Sequence, residues 1–138
     1  MNGQDFLRVI RDAYLPFLTE IGFSMEEPSI SGRFYRASFI SSTNSVWVSY
    51  EPGDNELSVY VFSLEKGRLS EVDDSSKTPT LSDLNNKYMH LVSKEEHVEN
   101  ESYFSSVGVR DNKEKSLLKC AKDLHIVLPR HLKSKGKI

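Results

Sequence analysis

The residues in this chain that could do chemistry are few: one cysteine, four histidines, an adjacent pair of aspartates and many serines. Cys120 with His125 comes nearest to a nucleophile and its base. Five residues apart on one helix, however, turn the side chains through about 500° and leave them about 140° apart, so they do not meet. Cys120 reads better as a half-buried packing residue. His90, His97, His125 and His131 are scattered, and none has another histidine three or four residues on. A metal site needs three or four ligands converging, so these read as surface residues. Asp73-Asp74 lies in a polar stretch that cannot desolvate a carboxyl, and reads as a solvated turn. Neither common glycine-rich phosphate cradle occurs, nor a G-x-S-x-G elbow. No catalytic, cofactor-binding or metal-binding residue is assigned. The expectation is a protein that is not an enzyme and uses no cofactor; an enzyme with a cryptic site remains as a third possibility.

Charge carries more information than reactive groups. The net charge of the 138 residues is only −2. Residues 51–101 nevertheless hold twelve acids against five bases, and residues 113–138 hold eight bases against two acids. A segregated solvated surface explains this, and so does an acidic segment that faces a basic partner. The basic C-terminus also raises nucleic-acid binding, because clustered lysines release counterions from a phosphate backbone. No aromatic residue follows Phe104 to stack a base, which makes nucleic acid the weaker alternative. A single cysteine excludes an internal disulfide. With no apolar run long enough for a membrane span and no basic-then-apolar leader, the chain reads as a soluble cytoplasmic protein. The length fits one domain, residues 1–138, with 131–138 as a basic, frayed tail.

The elements that position these groups begin with an amphipathic helix over Gln4 to Ile21. Phe6, Ile10, Tyr14, Phe17 and Ile21 recur at helical steps, and Gly22 is placed to cap it. Pro16 predicts a kink near Asp12 to Tyr14, or two short helices. Phe23 to Glu27 is a candidate edge strand before Pro28, and Ser29 to Gly32 a loop. The strongest pattern is an antiparallel meander from Arg33 to Leu64. Placing Glu51 opposite Glu56 across Pro52-Gly53-Asp54-Asn55 sets Tyr50 against Leu57, Val48 against Val59 and Val46 against Val61. Placing Ile40 opposite Ser45 brings Phe39, Ala37 and Tyr35 over Val46, Val48 and Tyr50, so one face is apolar on all three strands. The other face carries Phe34, Arg36, Trp47, Tyr60 and Phe62. That aromatic face is either covered by a later segment or a contact surface, which would include self-association into a homodimer. The apolar faces of the C-terminal half favour cover.

Lys66-Gly67 breaks the third strand, and Ser70 to Pro79 reads as a polar surface loop. Leu81 to Val92 predicts a helix capped by Thr80 or Ser82, with Leu84, Tyr88 and Leu91 on one stripe. Ser93 to Ser102, anchored only by Val98, reads as helix end plus loop. The last helix is capped by Asp111 or Asn112, has Glu114 in capping-box position, buries Leu117, Ala121, Leu124 and Leu128, and ends at Pro129. The expected class is α+β: an N-terminal helix, a three- to four-stranded antiparallel meander sheet, and two C-terminal helices packing on it.

This order resembles the small α+β immunity proteins of bacterial polymorphic and contact-dependent toxin systems. The residues carrying the likeness are Phe17-Leu18-Thr19-Glu20-Ile21-Gly22-Phe23, then Val46-Trp47-Val48-Ser49-Tyr50, and Leu117 to Asp123-Leu124 running into Leu128-Pro129-Arg130-His131-Leu132. The resemblance implies a non-enzymatic inhibitor that binds and occludes a cognate toxin, often a basic nuclease, and needs no cofactor. An acidic surface would steer such a toxin. Candidate contacts are Glu51, Asp54 and Glu56 at the hairpin tip, then Glu65, Glu71, Asp73 and Asp74, with Trp47 and Tyr60 as aromatic anchors.

Overall fold

The structure is a computed structural model and describes residues 1–65, 68–69 and 78–134. The chain opens with α1 (Gly3–Val9), capped by Asn2, whose Oδ1 accepts from the Asp5 N–H at 2.8 Å. The next five residues, Ile10–Tyr14, form a π-helical turn that leads into α2 (Leu15–Glu20). Pro16 explains the widening. Its ring would crowd the carbonyl four residues back and it brings no N–H. The Leu15 N–H instead donates five residues back, to the Ile10 carbonyl, and Pro16 falls in the first turn of α2, where a donor is not required. The helical line continues, so the predicted disturbance is a π turn within one stretch. Gly22 ends it at φ 96°, with the Phe23 N–H returning to the Leu18 carbonyl at 2.9 Å.

Among the described residues the sheet has six strands: β1 (Ser24–Met25), β2 (Ser29–Ile30), β3 (Tyr35–Ile40), β4 (Asn44–Glu51), β5 (Glu56–Glu65) and β6 (Arg68–Leu69). The meander register is the one read from the sequence, pair for pair, from Tyr35–Tyr50 to Ile40–Ser45 and from Glu51–Glu56 to Val46–Val61. Two short additions extend it. β2 occupies part of the segment read as a loop and pairs with Tyr35 and Arg36, while β1 pairs with Ile40 and Phe39, so the two share one edge of β3. β6 folds back on Leu64 and Glu65.

After the sheet come α3 (Leu81–Tyr88), α4 (Lys94–Tyr103) and α5 (Asn112–Ser134). The class is α+β, as expected, but the described helices after the sheet number three. Thr80 caps α3 in a capping box with Asp83. The chain then tightens into a 3₁₀ turn over Met89–Leu91, and that change of period rotates Leu91 off the Leu84–Tyr88 stripe, leaving it 60% exposed. α4 occupies the predicted loop, its start fixed by a Ser93–Glu96 capping box. Val98 is not its anchor, being exposed; the buried residue is Asn100. α5 does not stop at Pro129 but continues through it, because Leu132 and His131 are buried beyond it. Ser134 meets the Tyr88 hydroxyl at 2.8 Å, tying this last turn to α3. The frayed tail therefore does not begin at 131; residues 135–138 lie outside those described.

All these elements share one core. The inner face of the sheet (Ala37, Phe39, Val46, Val48, Val61) meets Phe6, Val9, Ile10 and Phe17 of the N-terminal helices and Leu117, Leu124 and Leu128 of α5. Tyr14 is fully buried within it and donates to the Leu117 carbonyl at 2.7 Å. The C-terminal helices thus cover the face that was already apolar. The expectation was that they cover the aromatic face; among the described residues they pack on the inner face instead, and the outer-face rings of Trp47, Tyr60 and Phe62 are half-buried.

Candidate functional site

Alternation along β4 and β5 decides what sits on the outer face. Residues two apart share a face, so the register stacks opposed pairs in one stripe: Glu51–Glu56, Ser49–Ser58, Trp47–Tyr60 and Ser45–Phe62. β3 adds Arg36 beside Ser49. The carboxylates of the hairpin tip and the aromatic rings are therefore neighbours on one surface. Together they line a shallow concavity of about 250 Å³, with Phe34 and Arg36 closing one side.

The rings are held by each other and by a fixed polar contact. The Trp47 and Phe62 centroids lie 4.6 Å apart, and Tyr60 and Phe62 are stacked at 6.0 Å. The Trp47 indole N–H donates to Ser45 Oγ at 3.1 Å, and Ser45 in turn donates to the Phe39 carbonyl. The Arg36 guanidinium lies 4.3 Å from the Trp47 ring and 5.1 Å from that of Phe34, a cation–π arrangement on both. Sequence reasoning placed Arg36 on this face without assigning it a role; the register was the signal that could have done so.

At the tip, Asn55 adopts the left-handed conformation at φ 56°, which closes the turn. Its side-chain oxygen accepts from the Tyr50 hydroxyl at 2.9 Å, and its carbonyl accepts from Lys113 Nζ at 3.3 Å. The tip is thus fastened to the start of α5. Its three acids, Glu51, Asp54 and Glu56, are unequal. The Glu51 carboxyl titrates above its ordinary range, first because it hydrogen-bonds Asp54, then through partial desolvation and the charges of Asp54 and Glu56. The remaining predicted contacts are not brought here. Glu65 ends β5 at the opposite end of the β4–β5 ladder, and Glu71, Asp73 and Asp74 lie outside the described residues.

The groups considered for catalysis are separated. Cys120 lines a cleft between β5, α3 and α5, whereas His125 lines another between α4 and α5. Burial pushes the Cys120 thiol up to about 11, helped by Asp123, which leaves it protonated and a poor nucleophile at neutral pH. His125 stacks on Tyr103 at 4.4 Å and meets Phe17 and Phe104 edge-on. Its Nδ1 lies 2.6 Å from Asn100 Oδ1, while Asn100 Nδ2 donates to the Lys122 carbonyl at 3.0 Å. Burial holds its pKa below the ordinary histidine value. No three His, Cys, Asp or Glu side chains converge on a possible metal position among the described residues. No helix among them is long and apolar enough to cross a membrane.

The chain matches no family model, no curated protein and no solved structure.

Proposed function

We propose that this protein works without catalysis, by binding a basic partner protein through the outer face of its sheet and occluding that partner's working surface. The observation that carries the proposal is the half-buried aromatic stripe of Trp47, Tyr60 and Phe62, continuous with the carboxylates of Glu51 and Glu56. An aromatic centre beside charged groups is the layout from which interfaces draw affinity and on-rate, respectively. The likeness to immunity proteins of bacterial toxin systems makes a toxin, a basic nuclease above all, the favoured partner, met in the cytoplasm.

The alternative, nucleic-acid binding through the lysine-rich C-terminal helix, has less in its favour. Lys119 pairs with Asp123 at 2.6 Å, Lys122 with Glu101 at 2.7 Å and Arg130 with Glu96 at 2.7 Å. Cations balanced in this way release few counterions on meeting a phosphate backbone.

Trp47 is the only tryptophan, so its emission reports directly on the proposed surface. Mixing the protein with the product of an adjacent toxin-like gene should shift that emission and protect cells expressing the toxin. No complex at micromolar concentration and no rescue would reject the proposal. A concentration-dependent shift with no partner present would identify the face as a homodimer interface instead.

A further inference from the structure

Across the sheet from β1 and β2 the outermost strand is the two-residue β6, which covers only the Leu64–Glu65 end of β5. The rest of β5 forms the edge, and among the described residues it is only partly closed. The Val61 N–H points away from β4, donating to the Pro79 carbonyl at 3.0 Å, and Thr80 bridges to Tyr60. In a strand, backbone groups two residues apart point the same way, so those of Val59 and Leu57 also face outward. Among the described residues the chain's own pairing stops there, because Leu81 turns away into α3. Beyond Leu81 the edge opens into a cleft of about 410 Å³, walled by β5, α3 and α5.

The lining of this cleft is specific. Asn85 uses its Nδ2 to donate to Asp123 at 3.2 Å, which leaves its Oδ1 as the acceptor, and that oxygen is buried without a hydrogen-bond partner. A buried acceptor left in that state costs free energy that an incoming donor would recover. Asp123 has a side chain only 14% exposed; besides Asn85 it is paired with Lys119 at 2.6 Å, whose 68% exposed side chain an incoming cation would displace. Glu56 adds a carboxylate at the mouth, and Leu57 supplies an apolar floor. Unpaired strand groups call for another extended backbone, and a surplus of acceptors calls for a donor-rich, cationic side chain.

The geometry points to strand addition at this edge. An extended segment of a basic protein pairs with the outward groups of Leu57 and Val59 and sets a lysine or arginine against Asp123 and Asn85. The mode continues the pairing that Pro79 and Thr80 already make one step along β5. A second copy of this chain suits the cleft poorly, since it brings Glu56 and Asp123 with it.

The probe is an acetylated, amidated peptide, Thr-Arg-Val-Arg-Thr, added at millimolar concentration to the isotope-labelled full chain. Amide exchange at Leu57 and Val59 should slow by about tenfold, with Trp47 emission unchanged. Asp123→Asn should weaken binding several-fold without altering the fold, and backbone N-methylation of the peptide should abolish it. Unchanged exchange at Leu57 and Val59 overturns the inference, as does equal protection by Thr-Glu-Val-Glu-Thr or by the N-methylated peptide. Protection that grows with protein concentration alone would assign the edge to a second copy and overturn it too. A peptide that shifts Trp47 emission but not these amides has bound the outer face; strand addition then fails while the proposed function stands.

Discussion

Glu114 is 1% exposed and ion-paired with Arg8, whose other guanidinium nitrogen donates to the Gly108 carbonyl at 2.8 Å. The same carboxylate accepts from the Arg110 N–H at 3.3 Å, so Glu114 reaches past the cap residue that its spacing predicted. One buried acid thereby joins α1, the loop before α5 and α5 itself. Glu114→Ala should cost about 3 kcal/mol in urea unfolding, because it strands a half-buried guanidinium. Arg8→Met with Glu114→Leu should recover much of that loss; a double variant no better than the single one would show that the charges themselves are needed. His125 provides a second residue-level test. Its unfolded pKa is near 6.5, and burial lowers it in the fold, with Glu20 opposing. The unfolded chain therefore takes the proton first. The contribution of the neutral ring is complete above the unfolded value and is lost as pH falls through the lowered one. Wild type should lose more melting temperature between about pH 7.5 and about pH 5.5 than His125→Gln does. Equal losses would remove His125 from the account.

Among the elements, α4 has the least reason to form by itself. Its sequence is polar, its one aliphatic residue is exposed, and it contributes Asn100 to the interior. Its start rests on Ser93, whose side chain accepts from the Glu96 N–H at 3.1 Å. Ser93→Ala should cost about 1 kcal/mol and speed amide exchange selectively in the first turns of α4. Uniform destabilisation without local fraying would contradict this. The same helix marks where sequence reading ran out. The meander was legible to the residue, since a slip of one position would have moved Phe39, Val46 and Val61 to the wrong face. α4 was missed although Ser93 and Glu96 stand at capping-box spacing, because its one buried residue, Asn100, is held by a hydrogen bond to His125 across 25 residues that leaves no periodic trace. α5 was misjudged at Pro129 because a local rule was outweighed by the burial of Leu132. The candidate surface divides the same way: Trp47 and Tyr60 follow from register, while Glu51, Glu56 and Glu65 were grouped by charge along the chain, and the sheet brings only the first two of these beside the rings.

For the whole molecule, the proposed binding would use the two components of the outer face at different steps. Glu51 and Glu56 lie at the hairpin end of the aromatic stripe, and the tip is already fixed by Asn55 through Tyr50 and Lys113, so little ordering is left to be done on contact. Long-range attraction to a basic partner acts before contact, whereas desolvated rings act only after it. Replacing Glu51, Asp54 and Glu56 by their amides should therefore slow association by about tenfold at low salt and leave dissociation nearly constant. The deficit should shrink as salt screens the wild-type charges. Trp47→Ala should do the reverse, raising dissociation by about tenfold or more with association little changed. It also removes one of the two rings beside Arg36, leaving Phe34, and Arg36→Lys, which keeps the charge but loses the planar stack, separates that contribution. Stopped-flow association and surface-bound dissociation measure the two rates independently. If the amide variant instead raises dissociation and leaves association untouched, the acids make short-range contacts, and a steering role for this end of the molecule is wrong.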